Sequence, residues 1–235
     1  MVPRSVAPVD VLGSALRIYR DQAGVLLGAA VVIFAVEALL GVVLDESLGF
    51  LVSVVSLIAG TFYQGMVVEL VRDVQDGRRD ASVADLFRTV APVVGPLIAV
   101  SLLLGLGVAL GFLLVIVPGF LALTFWAVAA PVTVIERPGI LAAFGRSREL
   151  VRGHGWPVFG VIVLLLLVVL TVGIVVGIAF ANASDPTRAI VSWVVSVLTA
   201  PLTALAASVL YFALRREHGE PVTAGGPEYP GHVWN

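Results

Sequence analysis

Side chains that could do chemistry are few in this chain, and those set among apolar residues are the candidates. Glu37 is the one carboxylate well inside an apolar run, residues 22–43. An ionisable group in such a run is by default a candidate for a proton or solute path. With Gln64 it would line such a path, yet it stands close enough to the end of its run for the carboxyl to reach the interface or pair structurally. A second cluster, Glu136, Arg146, Arg148, Glu149 and Arg152, follows a later apolar run. Guanidinium forks match phosphate oxygens, so Arg146, Arg148 and Arg152 are candidate contacts to lipid phosphate. Ordinary retention of basic residues beside a membrane accounts for the same arginines. Ser147 is less usual, because a helical wheel puts it on the apolar face between Phe144 and Val151. Its hydroxyl is expected to bond to the preceding turn or to a neighbouring helix.

Catalytic and metal-binding patterns are missing. The three histidines, His154, His218 and His232, are scattered, and no HExxH, GxSxG or P-loop pattern occurs. With no cysteine there is no thiolate chemistry and no disulfide. Asp76-Gly77-Arg78-Arg79-Asp80 shares only the first residues of the alcohol phosphotransferase motif. No cofactor is expected and no enzymatic role is assigned.

These residues need elements to hold them, and the composition selects the class. Soluble domains are ~45–50% apolar and ~25% charged; this chain is 59% apolar and 13% charged, with a mean hydropathy of +1.06. That is an all-α polytopic membrane protein. The net charge of −2 and the missing base-reading motifs argue against nucleic acid. All 14 basic residues are arginine, which fits the codon bias of a GC-rich bacterial genome.

Apolar runs at 22–43 and 48–71 predict two crossings. Residues 93–135 carry no charge over 43 positions, and a helix of that length would reach about 65 Å, twice a ~30 Å hydrocarbon core. The run must therefore fold back. Val117-Pro118-Gly119 is its strongest breaker, which predicts crossings at 91–115 and 119–135. Residues 156–181 and a run ending at Leu214 complete six transmembrane helices. The first lacks the features of a cleaved signal and is expected to be retained. The Gly/Pro-rich tail, 215–235, is expected to be disordered.

Three amphipathic segments are expected to lie in the interface. Residues 10–20 put Val11, Leu12, Ala15, Ile18 and Tyr19 on one side and Ser14, Arg17 and Arg20 on the other. Ser82 to Asp85 has the form of a capping box, and the third segment carries Phe144, Ser147 and Leu150. The unit of amphipathic helix and hairpin recurs at about 10–71, 82–135 and 139–214, with Arg20, Arg88 and Arg152 closing the interfacial helices at separations of 68 and 64 residues. A threefold hairpin repeat within one domain, 1–214, is the reading; any alternation of hairpins and basic loops would also look periodic. Arginine placement fixes the orientation, since 13 of the 14 fall on one side in this scheme. Both termini are expected in the cytoplasm, and the chain in the cytoplasmic (inner) membrane. Gly24/Gly28, Gly107/Gly111 and Gly173/Gly177 have the spacing of close helix contacts. Pro131 and Pro201 should kink their crossings.

Val117-Pro118-Gly119, Pro131, Glu136, Leu141-Ala142-Ala143-Phe144, Ser147, Leu150, Arg152-Gly153 and Trp156-Pro157-Val158-Phe159 together form a pattern. It resembles the membrane domain found with bacterial glycerophosphodiester phosphodiesterases and in stand-alone actinobacterial membrane proteins. The resemblance implies a polytopic helical body with no established activity for the membrane part alone; the His-Arg-Gly motif of the phosphodiesterase barrel is missing. The expected function is a non-enzymatic scaffold, anchor or regulatory partner, working with membrane lipids and a membrane-protein partner or a second copy. A small-solute or lipid transporter is the alternative, and a polar cavity at mid-membrane would favour it.

Overall fold

The computed structural model describes residues 6–43, 49–77 and 82–220, and no strand occurs among them. Ten α-helices follow one another: α1 (Pro8–Asp21), α2 (Ala23–Val43), α3 (Gly49–Gln75), α4 (Val83–Val90), α5 (Val94–Leu114), α6 (Ile116–Phe125), α7 (Ala129–Ile135), α8 (Ile140–Val151), α9 (Gly155–Ala179) and α10 (Asp185–Glu217). Among the described residues five helical spans are long and apolar enough to cross a membrane, and a sixth is counted when α1 and α2, which meet at 83°, are taken as one bent span. The acidic turn at Asp45-Glu46, Arg78, Arg79 and the tail from Pro221 lie outside the described residues.

The amphipathic segments become α1, α4 and α8. Ser82 caps α4, its hydroxyl accepting from the Asp85 N–H at 3.2 Å and donating to the Asp85 carboxylate at 2.6 Å. In α1 the buried side is Val11, Ser14, Ala15 and Ile18. Ser14 therefore faces inward, contrary to the wheel, and accepts from Arg17 at 2.9 Å. A hydroxyl bonded within its own helix is small enough to enter a packed face.

Neighbour relations are regular. α1 packs on α10, α4 on α3 and α8 on α7, so each amphipathic helix leans on the helix or hairpin that precedes it around the bundle. α2 touches α10, α5 touches α3 and α9 touches α6, while α3, α7 and α10 meet one another. The buried core follows these contacts, with Tyr63, Met66 and Leu70 of α3 and Leu205, Leu210 and Leu214 of α10 nearly inaccessible.

The fold-back of 93–135 is tighter than Val117-Pro118-Gly119 predicted. α5 runs to Leu114, Val115 alone is extended, and α6 starts at Ile116. Pro118 stands in the first turn of α6, where its missing N–H deprives no carbonyl, so it opens a helix instead of closing one. Gly119 serves contact: a Cβ on Gly111 would fall 2.9 Å from the Gly119 Cα. Of the three glycine pairs, Gly107/Gly111 is thus a close approach, the Gly107 position lying against the Trp126 ring. Added Cβ atoms at Gly24, Gly28, Gly173 and Gly177 would meet nothing within 4 Å.

The expected crossing 119–135 is interrupted. α6 ends at Phe125 and α7 begins at Ala129, leaving 126–128 as a turn. Pro131 stands in the first turn of α7, the place that Pro118 holds in α6, so each proline opens the helix that follows its break. Pro201, by contrast, lies inside the continuous α10. The beginning of the tail also departs from expectation, since α10 continues to Glu217 and Arg215 is only 3% exposed.

Candidate functional site

Two polar constellations emerge. The first lies midway along α3 and α5, where a cavity of about 360 Å³ is lined by Ser56, Thr61 and Gln64 of α3, Ser101 of α5, and Trp126 and Ala127 of the interruption. Ser56, Gly60 and Gln64 are four residues apart and share one face of α3. Just behind the cavity wall, the Ser56 hydroxyl donates to the Glu37 carboxyl at 2.6 Å. Glu37 thereby joins α2 to the polar wall, while Gln64 faces the space itself.

The interruption explains why the cavity can exist. Irregular backbone at membrane depth is tolerated only when protein buries it or a wet cavity receives it, since each unmet peptide group costs several kcal/mol in hydrocarbon. At 126–128 neighbouring protein packs one side of the break and the cavity borders the other. Ser147 of α8, fully buried, donates from Oγ to the Phe125 carbonyl at 2.9 Å. The Trp126 ring stacks edge-on against Phe144 with centroids 5.1 Å apart, and Trp126 and Ala127 form part of the cavity wall. Ser147 therefore bonds to a neighbouring helix, where it satisfies the backbone of the break.

The second constellation sits where α7, α8 and the end of α10 meet. Arg146 of α8 donates through Nε to Glu136 at 2.9 Å, through Nη1 to Glu149 at 3.3 Å and through Nη2 to both oxygens of Glu220 at 2.6 Å. The Tyr211 hydroxyl donates to the other Glu136 oxygen at 2.9 Å and accepts from Arg215 at 3.4 Å. Arg215 in turn donates to Glu220 at 3.0 Å, closing a ring of Glu136, Arg146, Glu220, Arg215 and Tyr211. Burial disfavours the Arg146 charge, but the bonds to Glu220 and Glu136 outweigh it and push its pKa up. Burial likewise opposes the Glu220 charge, yet Arg146 and Arg215 hold its carboxyl below the ordinary glutamate range. Glu136 reaches the ring because α7 ends in a left-handed turn at Arg137, φ 50°, with the Arg137 N–H returning to Val132.

The two arginines of α8 and the one at its C-terminal cap thus separate. Arg146 is engaged by carboxylates on each of its nitrogens. Arg148 and Arg152 are exposed, and neither makes an ion pair among the described residues. Arg148 lies 5.5 Å from the Phe125 ring centroid. Glu69 and Arg72 pair along α3 at 3.6 Å, as their spacing predicts.

Sequence reasoning missed Ser56, Thr61 and Ser101 of the cavity and Tyr211, Arg215 and Glu220 of the ring. The four-residue recurrence of Ser56, Gly60 and Gln64 was a usable signal, as was the i, i+4 spacing of Tyr211 and Arg215. Glu220 gave none. No cluster of metal-ligating side chains occurs among the described residues.

Compared with protein-family models, with curated proteins and with solved structures, the chain finds no match.

Proposed function

We propose that this chain is a six-crossing protein of the cytoplasmic membrane that admits a small polar solute to a site between α3, α5 and the break at 126–128, in the manner of a permease. The carrying observation is the interruption at 126–128 bordering a cavity of mixed polar and apolar lining, which includes Gln64 and has Glu37 one hydrogen bond behind it. Discontinuous helices beside mid-membrane binding sites are a recurring device of transporters, because freed backbone groups offer ligands that an intact helix hides. A volume of about 360 Å³ lies at the small end of the ~300–1,000 Å³ range of ligand pockets, so the solute is small.

The architecture belongs to the same proposal. The arginine distribution supports cytoplasmic termini, and the cyclic packing of α1 on α10, α4 on α3 and α8 on α7 supports three repeats closed into a ring. The resemblance to glycerophosphodiester phosphodiesterase membrane domains is carried as a proposal about body plan only; no hydrolysis is assigned.

A scaffold or regulatory role is the second reading. The ion-pair ring favours it by tying α7, α8 and α10 into a fixed end. One measurement separates the two. The chain has no cysteine, so Gln64→Cys and Ser101→Cys can be probed singly with a small water-soluble thiol reagent in membranes. A solute path requires both to be labelled; protection of both, with Arg152→Cys labelled as the control, establishes a closed bundle and the scaffold reading.

A further inference from the structure

Beside α8 lies a second and larger space, a groove of about 650 Å³ between α6 and the start of α9. Val117, Phe120, Leu121 and Phe125 line it on one side, and Trp156 and Phe159 on the other. Its lining is overwhelmingly apolar, and the polar member Thr124 spends its hydroxyl on the Phe120 carbonyl at 2.7 Å. From Val117 to Phe125 the helix rises about 12 Å, which makes the groove elongated. Phe120 and Phe159 meet edge-on at 5.6 Å and Phe159 meets Trp156 at 6.1 Å, so the wall is an aromatic series ending in an indole that is 84% exposed. Indoles with one apolar and one polar side belong at the headgroup level.

Charge is confined to one end. Gly153 and Gly155 line the groove there, and Arg152 directly precedes them. Arg148 stands over Phe125, itself a wall residue. Arg148 of α8 and Arg152 at its C-terminal cap make no ion pair among the described residues, whereas Arg146 is neutralised by Glu136, Glu149 and Glu220.

An apolar slot with the Arg148 guanidinium over one wall residue and Arg152 next in the chain to another has the polarity of one molecule class. We propose that the groove seats an acyl chain of an anionic phospholipid, with its phosphate held by Arg148 and Arg152. The chain fills the slot between α6 and α9, the headgroup lies beside the Trp156 indole, and the guanidinium forks take the phosphate oxygens. The ring at Glu136 takes no part, since its carboxylates would repel the headgroup. The proposal is independent of a solute path through the α3/α5 cavity.

The test uses the full chain in nanodiscs holding equal phosphatidylglycerol and phosphatidylcholine, released into mild detergent and weighed by native mass spectrometry. The expected result is retention of phosphatidylglycerol over phosphatidylcholine. Arg148→Gln/Arg152→Gln should lower that preference about tenfold, given the worth of basic residues at an anionic surface. Leu121→Trp, which fills the slot without touching charge, should lower retention of both lipids. All three side chains are exposed, so the unfolding temperature should stay put and a folding failure would show there; Arg148→Lys/Arg152→Lys, which keeps the charge, should restore part of the preference. An undiminished preference in the double glutamine variant overturns the proposal. So does undiminished retention in Leu121→Trp, the outcome for an ordinary annular lipid, or displacement of the lipid by inorganic phosphate alone.

Discussion

The ring at the end of α10 and the cavity between α3 and α5 set polar groups in the same apolar chain, and they differ in what those groups face. In the ring each donor of Arg146 meets a carboxylate and each oxygen of Glu220 meets a guanidinium. In the cavity, hydroxyls and the Gln64 amide line open space. A satisfied buried network fixes geometry, and taking one member away leaves a charge without a partner. Groups that face a cavity cost little to change and can exchange their partners for a solute. The comparison sets a region whose polar groups hold one another against one whose polar groups border open space.

Arg146→Ala should have the largest effect, because it strands Glu136 and Glu220 together. With an Arg146 side chain only 18% exposed, the cost is expected to be about 3 kcal/mol, read as a lowered unfolding midpoint in detergent. A midpoint at the wild-type value would break the distinction between the regions. Ser147→Ala comes next, at about 1–3 kcal/mol, since the Phe125 carbonyl would be left buried without a donor. Ser147→Thr, which keeps the hydroxyl, separates that loss from packing.

Acid provides a smaller and reversible effect. The folded Glu220 carboxyl titrates below its ordinary range because Arg146 and Arg215 outweigh its burial. Its contribution is therefore complete above the unfolded glutamate value of about 4.3 and disappears as pH falls through the depressed folded value. The stability gap between wild type and Glu220→Gln should be present at neutral pH and close in acid; a gap constant with pH would place the interaction elsewhere. Gln64→Leu is expected to be smallest in stability, within about 0.5 kcal/mol, while lowering flux of any solute that crosses. A large loss of stability from that change would turn the cavity into a structural network as well.

Legibility in the sequence followed how local the cause was. The Ser82 cap, the Glu69–Arg72 pair and the apolar faces of α4 and α8 depend on neighbours within a turn or two. Pro118 was misread because proline has the same chemistry at the opening of a helix as at its end, and only the partner at Gly111 shows which applies. Arg146, Arg148 and Arg152 looked equivalent in the sequence, yet a rotation of about 100° per residue turns Arg146 away from the side that Arg148 and Arg152 share. Glu220 was read as part of a disordered tail because nothing near it in sequence reveals a binding partner.

By itself the sequence determined that the chain is helical, with several helices apolar enough to cross a membrane, and in outline where its apolar and amphipathic segments fall. Those properties are sums over adjacent residues partitioning between water and hydrocarbon, and a sum of that kind needs no knowledge of the partner. The tertiary structure alone decided that Arg146 meets Glu220, 74 residues away, that Ser147 satisfies the break at Phe125, and that Ser56, Gln64 and Ser101 share one cavity. Between helices in an apolar solvent there is no hydrophobic drive to choose neighbours. Shape and hydrogen bonding make that choice, and both depend on contacts distant in the chain.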